Sequence, residues 1–146
     1  MPPSTHPAAS RTALLAGGLY FLLVFAVGFA LGVVRTLWLV PAWGVRTAEL
    51  AEVPVMLVVM ILVARWLVRR FDLGNRSLAV SLAAGVVALG LLVAAELWLI
   101  LWLQQSTVGD YLAGRDPVSG GAYAASLLVF ALLPTLVAAW HRRRSS

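Results

Sequence analysis

The sequence predicts an all-α protein, a bundle of four transmembrane helices with both termini on the cytoplasmic side. Three observations predict it. Of the 146 residues, 62% are hydrophobic and only 12% charged, with a mean hydropathy of +0.93; a soluble domain carries about a quarter charged residues. The apolar residues gather into four runs, long enough or nearly so for a hydrocarbon core that needs ~20 helical residues. Arginines, the sole basic residues besides two histidines, crowd the flanks of those runs on one side, as the positive-inside rule requires of cytoplasmic loops.

Residues 1–11, rich in Pro, Ser and Ala, read as a short disordered tail. The first span, about 12–40, is interrupted only by Arg35 and exceeds the about 7–15 apolar residues of a signal peptide. Pro41, between Trp38 and Trp43, marks its interface. Thr47 is a candidate N-cap for the second helix, with Glu49 in its first turn. The second span, about 53–68, is the shortest. Its Pro54 lies either in the first turn or at a kink, and Arg65 near its end snorkels towards the interface. A turn around Asp72, Gly74 and Asn75 leads to the third span, about 77–103, which carries Glu96. The polar stretch 104–121 has room for a short interfacial helix near 110–112, and Asp110, Arg115 and Asp116 read there as loop and cap residues. The fourth span, about 122–140, contains Pro134, and a basic tail, 141–146, follows it.

Orientation follows from counting. Arg11, Arg69, Arg70, Arg76, Arg142, Arg143 and Arg144 flank one side, and Arg46 and Arg115 the other. The first set points to the cytoplasm, and a multi-pass protein of a bacterial inner membrane is expected.

Charges at the lip of an apolar span are normally turned inward and paired. Arg35, Arg46, Glu49, Glu52 and Glu96 are therefore expected to form one cluster across three helices, on the extracytoplasmic side. Gly28 and Gly32 precede Arg35 on one helical face as a GxxxG pattern, which lets a neighbouring helix approach. Gly85 lies near the Glu96 face of span three and has the same packing role. Met56 and Met60 read as core filler. Left unpaired, Glu96 would instead be a proton or cation acceptor, and with Glu49 and Glu52 it would offer oxygen ligands.

Several chemistries are excluded. The chain has no cysteine, so disulfides and thiolate sites are out. His6 and His141 sit in the tails, which argues against axial haem ligation, a histidine metal site or a Ser-His-Asp hydrolase. No cofactor, no metal and no nucleic acid is expected, and the protein reads as non-catalytic. Its partners are the lipid bilayer and either a membrane-protein partner or further copies of itself. The leading expectation is an accessory or structural subunit; the alternatives are a small oligomeric proton or cation transporter using Glu96 with Glu49 and Glu52, and a binding protein for a lipid or hydrophobic ligand.

Residues 28–65 and 115–134 carry R-x-x-W-x-V-P at Arg35 to Pro41 and R-T-A-E-L-x-E-x-P at Arg46 to Pro54, followed by an acid in span three. In these features the chain resembles an uncharacterised family of small four-span bacterial inner-membrane proteins. That resemblance implies fold and location, and no activity.

Overall fold

The computed structural model describes residues 7–103, 105 and 107–146. Its elements are α1 (Pro7–Val34), a π-helical turn (Arg35–Leu39), α2 (Val40–Trp43), α3 (Val45–Arg70), α4 (Leu78–Leu103), α5 (Val108–Ala113) and α6 (Pro117–Arg144). Four stretches are long and apolar enough to cross a membrane: Pro7–Trp43, Val45–Arg70, Leu78–Leu103 and Pro117–Arg144. The protein is an all-α four-helix bundle, with no strand among the described residues.

Each boundary has a local cause. Helix α1 already includes residues 7–11, because a proline is tolerated in a first turn, where its missing N–H costs nothing. The expected tail is to that extent helical, and residues 1–6 lie outside the described set. Pro41 does not end the first span at once. It has no N–H for the Leu37 carbonyl, and the backbone widens just before it, the Val40 N–H reaching back five residues to Arg35. The Thr36 hydroxyl takes the Gly32 carbonyl at 2.8 Å in the same region.

The turn into α3 is made by Gly44 alone, at φ +80°, which glycine adopts without strain. Gly44, and not Thr47, is therefore the N-cap, and Thr47 sits inside the helix. Pro54 is internal to α3. Thr107 caps α5 by accepting the Asp110 N–H at 3.1 Å. Asp116 caps α6 by accepting the Ser119 N–H at 2.9 Å, with Pro117 at the first helical position.

The helices form a ring in the order α1, α4, α6, α3, with α3 and α4 on opposite corners. The 71–77 connection therefore crosses the ring. It is fixed from within by Leu73, which is fully buried, and from the C-terminus by Arg142, whose guanidinium donates to the Gly74 carbonyl at 3.2 Å and to that of Arg76. The start of α1, this connection and the end of α6 share one end, since Pro7 and Arg11 border the same surface pocket as Phe71 and Arg142 holds the connection. Eight of the eleven arginines and one acid, Asp72, belong to that end; Arg35, Arg46, Arg115 and five acids belong to the other.

Lipid gives helices no hydrophobic reason to associate, so close packing by small residues has to supply it. On α4, Ser81, Ala84, Gly85, Ala88 and Leu92 are buried at helical spacing. A Cβ on Gly17 of α1 would lie 2.6 Å from the Ala84 carbonyl oxygen, and one on Gly85 would overlap that of Ala131 on α6. Across the ring, Tyr20 stacks on Phe130 (centroids 4.5 Å apart, planes 14°) and donates its hydroxyl to the Phe130 carbonyl at 2.9 Å. That carbonyl needs a donor because the residue four positions on is Pro134, which has no N–H. Tyr20 thus repairs the defect that Pro134 makes. Both side chains are fully buried and close the middle of the bundle.

Candidate functional site

Beyond the Tyr20 and Phe130 layer, towards the acid-rich end, the inward residues of α1 shrink to Val24, Gly28 and Gly32, and the ring encloses a cavity of about 610 Å³. Phe25, Met56, Met60, Leu92 and Leu127 give it an apolar floor and walls, while Arg35, Glu49, Glu52, Glu96, Tyr111, Arg115, Ser119 and Tyr123 give it a polar roof. Phe29 and Val33 of α1, Leu37 of the π-helical turn and Leu103 of α4 also line it while remaining exposed, so the cavity opens to the outside of the bundle.

Gly28 and Gly32 do not admit a neighbouring helix backbone. A Cβ on Gly28 would meet only the end of the Met56 side chain, its methyl at 3.3 Å and its sulfur at 3.8 Å, and one on Gly32 would meet nothing within 4 Å. Their small size makes room for the cavity. Met60 is buried in the core and Met56 packs against it, and both also line the cavity.

The π-helical turn starts at Arg35 and aims it at α3, where the guanidinium lies 3.2 Å from Glu52 and 3.9 Å from Glu49. The i, i+3 spacing of these acids puts both on one helical face. The side chains are 30%, 16% and 20% exposed for Arg35, Glu52 and Glu49, so the trio is sheltered but not sealed. Two carboxylates against one guanidinium leave it net negative.

The expected five-residue cluster across three helices is not what forms. Arg46 turns away from the cavity and holds Asp116, with Nε and Nη2 donating to Oδ1 at 3.0 and 2.5 Å, clasping the start of α3 to the start of α6. That guanidinium, helped by the Ser119 N–H, holds the Asp116 carboxyl down at about 2 from its ordinary 3.8. Glu96 has no arginine within ion-pair distance among the described residues. It faces instead the Tyr123 hydroxyl of α6, with the Arg115 charge acting from further off.

Arg115 completes the roof. Its guanidinium carbon lies 4.5 Å above the Tyr123 ring and 5.5 Å from that of Tyr111, and it donates to the Tyr111 hydroxyl. Its stem packs on Gly120, where a Cβ would approach to 3.4 Å. Apart from Glu52 Oε2, which is ion-paired to Arg35, three buried polar atoms of this roof have no hydrogen-bond partner: Arg115 Nε, Ser119 Oγ and the Tyr123 hydroxyl, which is near the Glu96 carboxylate but outside bonding geometry. Ser119 is 3% exposed. Unsatisfied groups this enclosed are costly and call for a partner.

The sequence did carry a signal for this half of the site. Tyr111, Arg115, Ser119 and Tyr123 recur every four residues, the spacing of one helical face. The Asp116 and Pro117 cap interrupts the helix between them and makes the stretch read as loop. Glu49, Glu52 and Glu96 do not converge, and no group of three His, Cys, Asp or Glu among the described residues is placed to hold a metal ion.

No protein-family model, no curated protein and no solved structure matches the chain. The fold defines an integral membrane protein of four helices in contact with the lipid bilayer, and its role has to be argued from the cavity.

Proposed function

We propose that the protein is a non-catalytic, membrane-embedded binding protein for a small amphiphilic molecule. The polar end of the ligand lies among Glu52, Glu96, Arg115, Ser119 and Tyr123, and its apolar part lies against Met56, Met60, Leu92 and Leu127. In this proposal the protein sits in a bacterial cytoplasmic membrane with the arginine-rich end, and so both termini, inside. The observation that carries the reading is the cavity itself, of about 610 Å³. That is the size of small-molecule sites, which are mostly apolar with a few placed polar groups.

One observation favours binding over transport. Below the cavity the stacked and fully buried Tyr20 and Phe130 fill the middle of the ring, which favours a pocket that ends there over a path continuing from Glu96. Exposed large apolar side chains occur on all four spanning helices, as lipid contact requires.

Gly32→Leu tests the reading, because a side chain there enters open cavity space without a clash. Native mass spectrometry after gentle extraction should find an amphiphile retained by the wild type and by Gly18→Leu, a control whose Cβ also meets nothing within 4 Å but which does not line the cavity. Gly32→Leu should lose it with the fold intact. Equal retention by all three proteins would refute the proposal.

A further inference from the structure

The charge inventory of the cavity narrows the ligand class. Three carboxylates, Glu49, Glu52 and Glu96, line it against two guanidiniums. Arg35 is shared by Glu49 and Glu52, and Arg115 lies over two tyrosine rings and donates to the Tyr111 hydroxyl, with its Nε left without a partner. Glu96 is therefore the acid with no cation beside it, two turns inside an apolar helix, where an unpaired carboxylate is expensive. Two hydroxyls lining the same cavity have no hydrogen-bond partner, that of Tyr123, which faces Glu96, and, one turn earlier on α6, that of the 3% exposed Ser119, whose backbone N–H is taken by Asp116. An anionic headgroup would enter a site that already carries an excess negative charge. An ammonium supplies the missing charge, and its N–H donors suit one carboxylate and two hydroxyl oxygens.

The geometry points to a primary-amine amphiphile, which we infer to be the ligand: its ammonium on Glu96 and the Tyr123 and Ser119 hydroxyls, its single apolar tail running down towards Met60 and Leu127. The apolar part of the cavity has the depth for such a tail, since Met60 lies eight residues from Glu52, about 12 Å along the helix. This inference rests on the amphiphile-binding reading above and names the headgroup that reading leaves open.

The test titrates octylammonium, octanol and octanoate into the full-length protein in phosphatidylcholine nanodiscs, with empty nanodiscs subtracted by calorimetry. Octylammonium is expected to bind saturably and octanoate not at all. Glu96→Gln should weaken octylammonium roughly 10- to 100-fold, the worth of a hydrogen bond to a charged group. Tyr123→Phe should weaken it less, with circular dichroism showing both variants folded. If either fails to fold, Gly32→Leu replaces it as the blocked site and must abolish octylammonium binding. Octanoate or octanol binding as tightly as octylammonium, or octylammonium indifferent to Glu96→Gln, overturns the ammonium inference while the amphiphile site stands. Saturable binding of none of the three overturns both. Repeating the titration in nanodiscs that contain phosphatidylethanolamine separates two sources of the same group. Competition by that lipid makes a membrane ammonium the resident ligand, and its absence leaves a free amine, both in accord with the inference.

Discussion

Tyr20→Phe is the sharpest probe of how this bundle is held, because it removes one oxygen and leaves the stacked ring in place. The hydroxyl donates at 2.9 Å to the Phe130 carbonyl, and both residues are fully buried. Without it that carbonyl has no donor, since Pro134 has no N–H to return. A buried polar group left unsatisfied costs about 1–3 kcal/mol, whereas hydrogen bonds between membrane helices average ~0.6 and reach ~1.7 kcal/mol. With both partners sealed in the middle of the ring, we expect a loss of about 1.5 kcal/mol. The distinctive consequence is a coupling. In a Pro134→Ala background the restored N–H takes the Phe130 carbonyl, so Tyr20→Phe should cost no more than about 0.5 kcal/mol. Reversible unfolding in mixed micelles, followed by helical circular dichroism for the wild type, both single variants and the double variant, measures the cycle. Additivity, with Tyr20→Phe costing the same in both backgrounds, would show that the hydroxyl does not serve the carbonyl that proline leaves open.

Three further outcomes follow from the packing and the charges. Gly85→Ala should destabilise by about 3 kcal/mol or more, because its Cβ meets the Ala131 backbone. Gly17→Ala, facing the Ala84 oxygen at 2.6 Å, should cost less, and Gly90→Ala, which meets nothing, should be neutral or slightly stabilising; equal stability of all three in the same unfolding assay would refute the close contact. Arg35→Gln leaves Glu49 and Glu52 facing each other, so it should lose roughly 1–3 kcal/mol, and adding Glu52→Gln should restore part of that; a double variant weaker than the single would disprove the pairing. The Asp116 carboxyl, held at about 2 when folded against 3.8 ordinarily, has a depressed folded value. Its contribution is therefore present above about pH 4 and lost as pH falls towards 2. Arg46→Gln should flatten the acid limb of a melting-temperature profile over that window, and an unchanged limb would count against the clasp.

How much of this was legible beforehand depends on which residues are asked. The four spans, the end they share and the position of the arginines follow from hydropathy and flanking charge, because a bilayer admits few backbone solutions and penalises charge at depth. The pairing of Arg35 with Glu49 and Glu52 was also within reach, since the three lie close along the chain on either side of one tight turn. Four things were not. Arg46 bonds Asp116, seventy residues on, and nothing local distinguishes that acid from Glu49. Glu96 makes no ion pair with Arg35 and faces Tyr123 of α6 instead, an order of neighbours that depends on how the ring closes. The cavity exists because Gly28 and Gly32 meet no backbone, whereas Gly17 and Gly85 do, though all four read alike in sequence. Tyr20 and Pro134 had no visible connection until the fold laid one against the other. The sequence by itself determined that the chain is a membrane bundle, where its helices run and which end carries the positive charge, because these depend on each residue's own cost of transfer into lipid. The tertiary structure alone decided which small residues pack and which leave space, and which charges meet, because both depend on neighbours that the chain brings together only on folding.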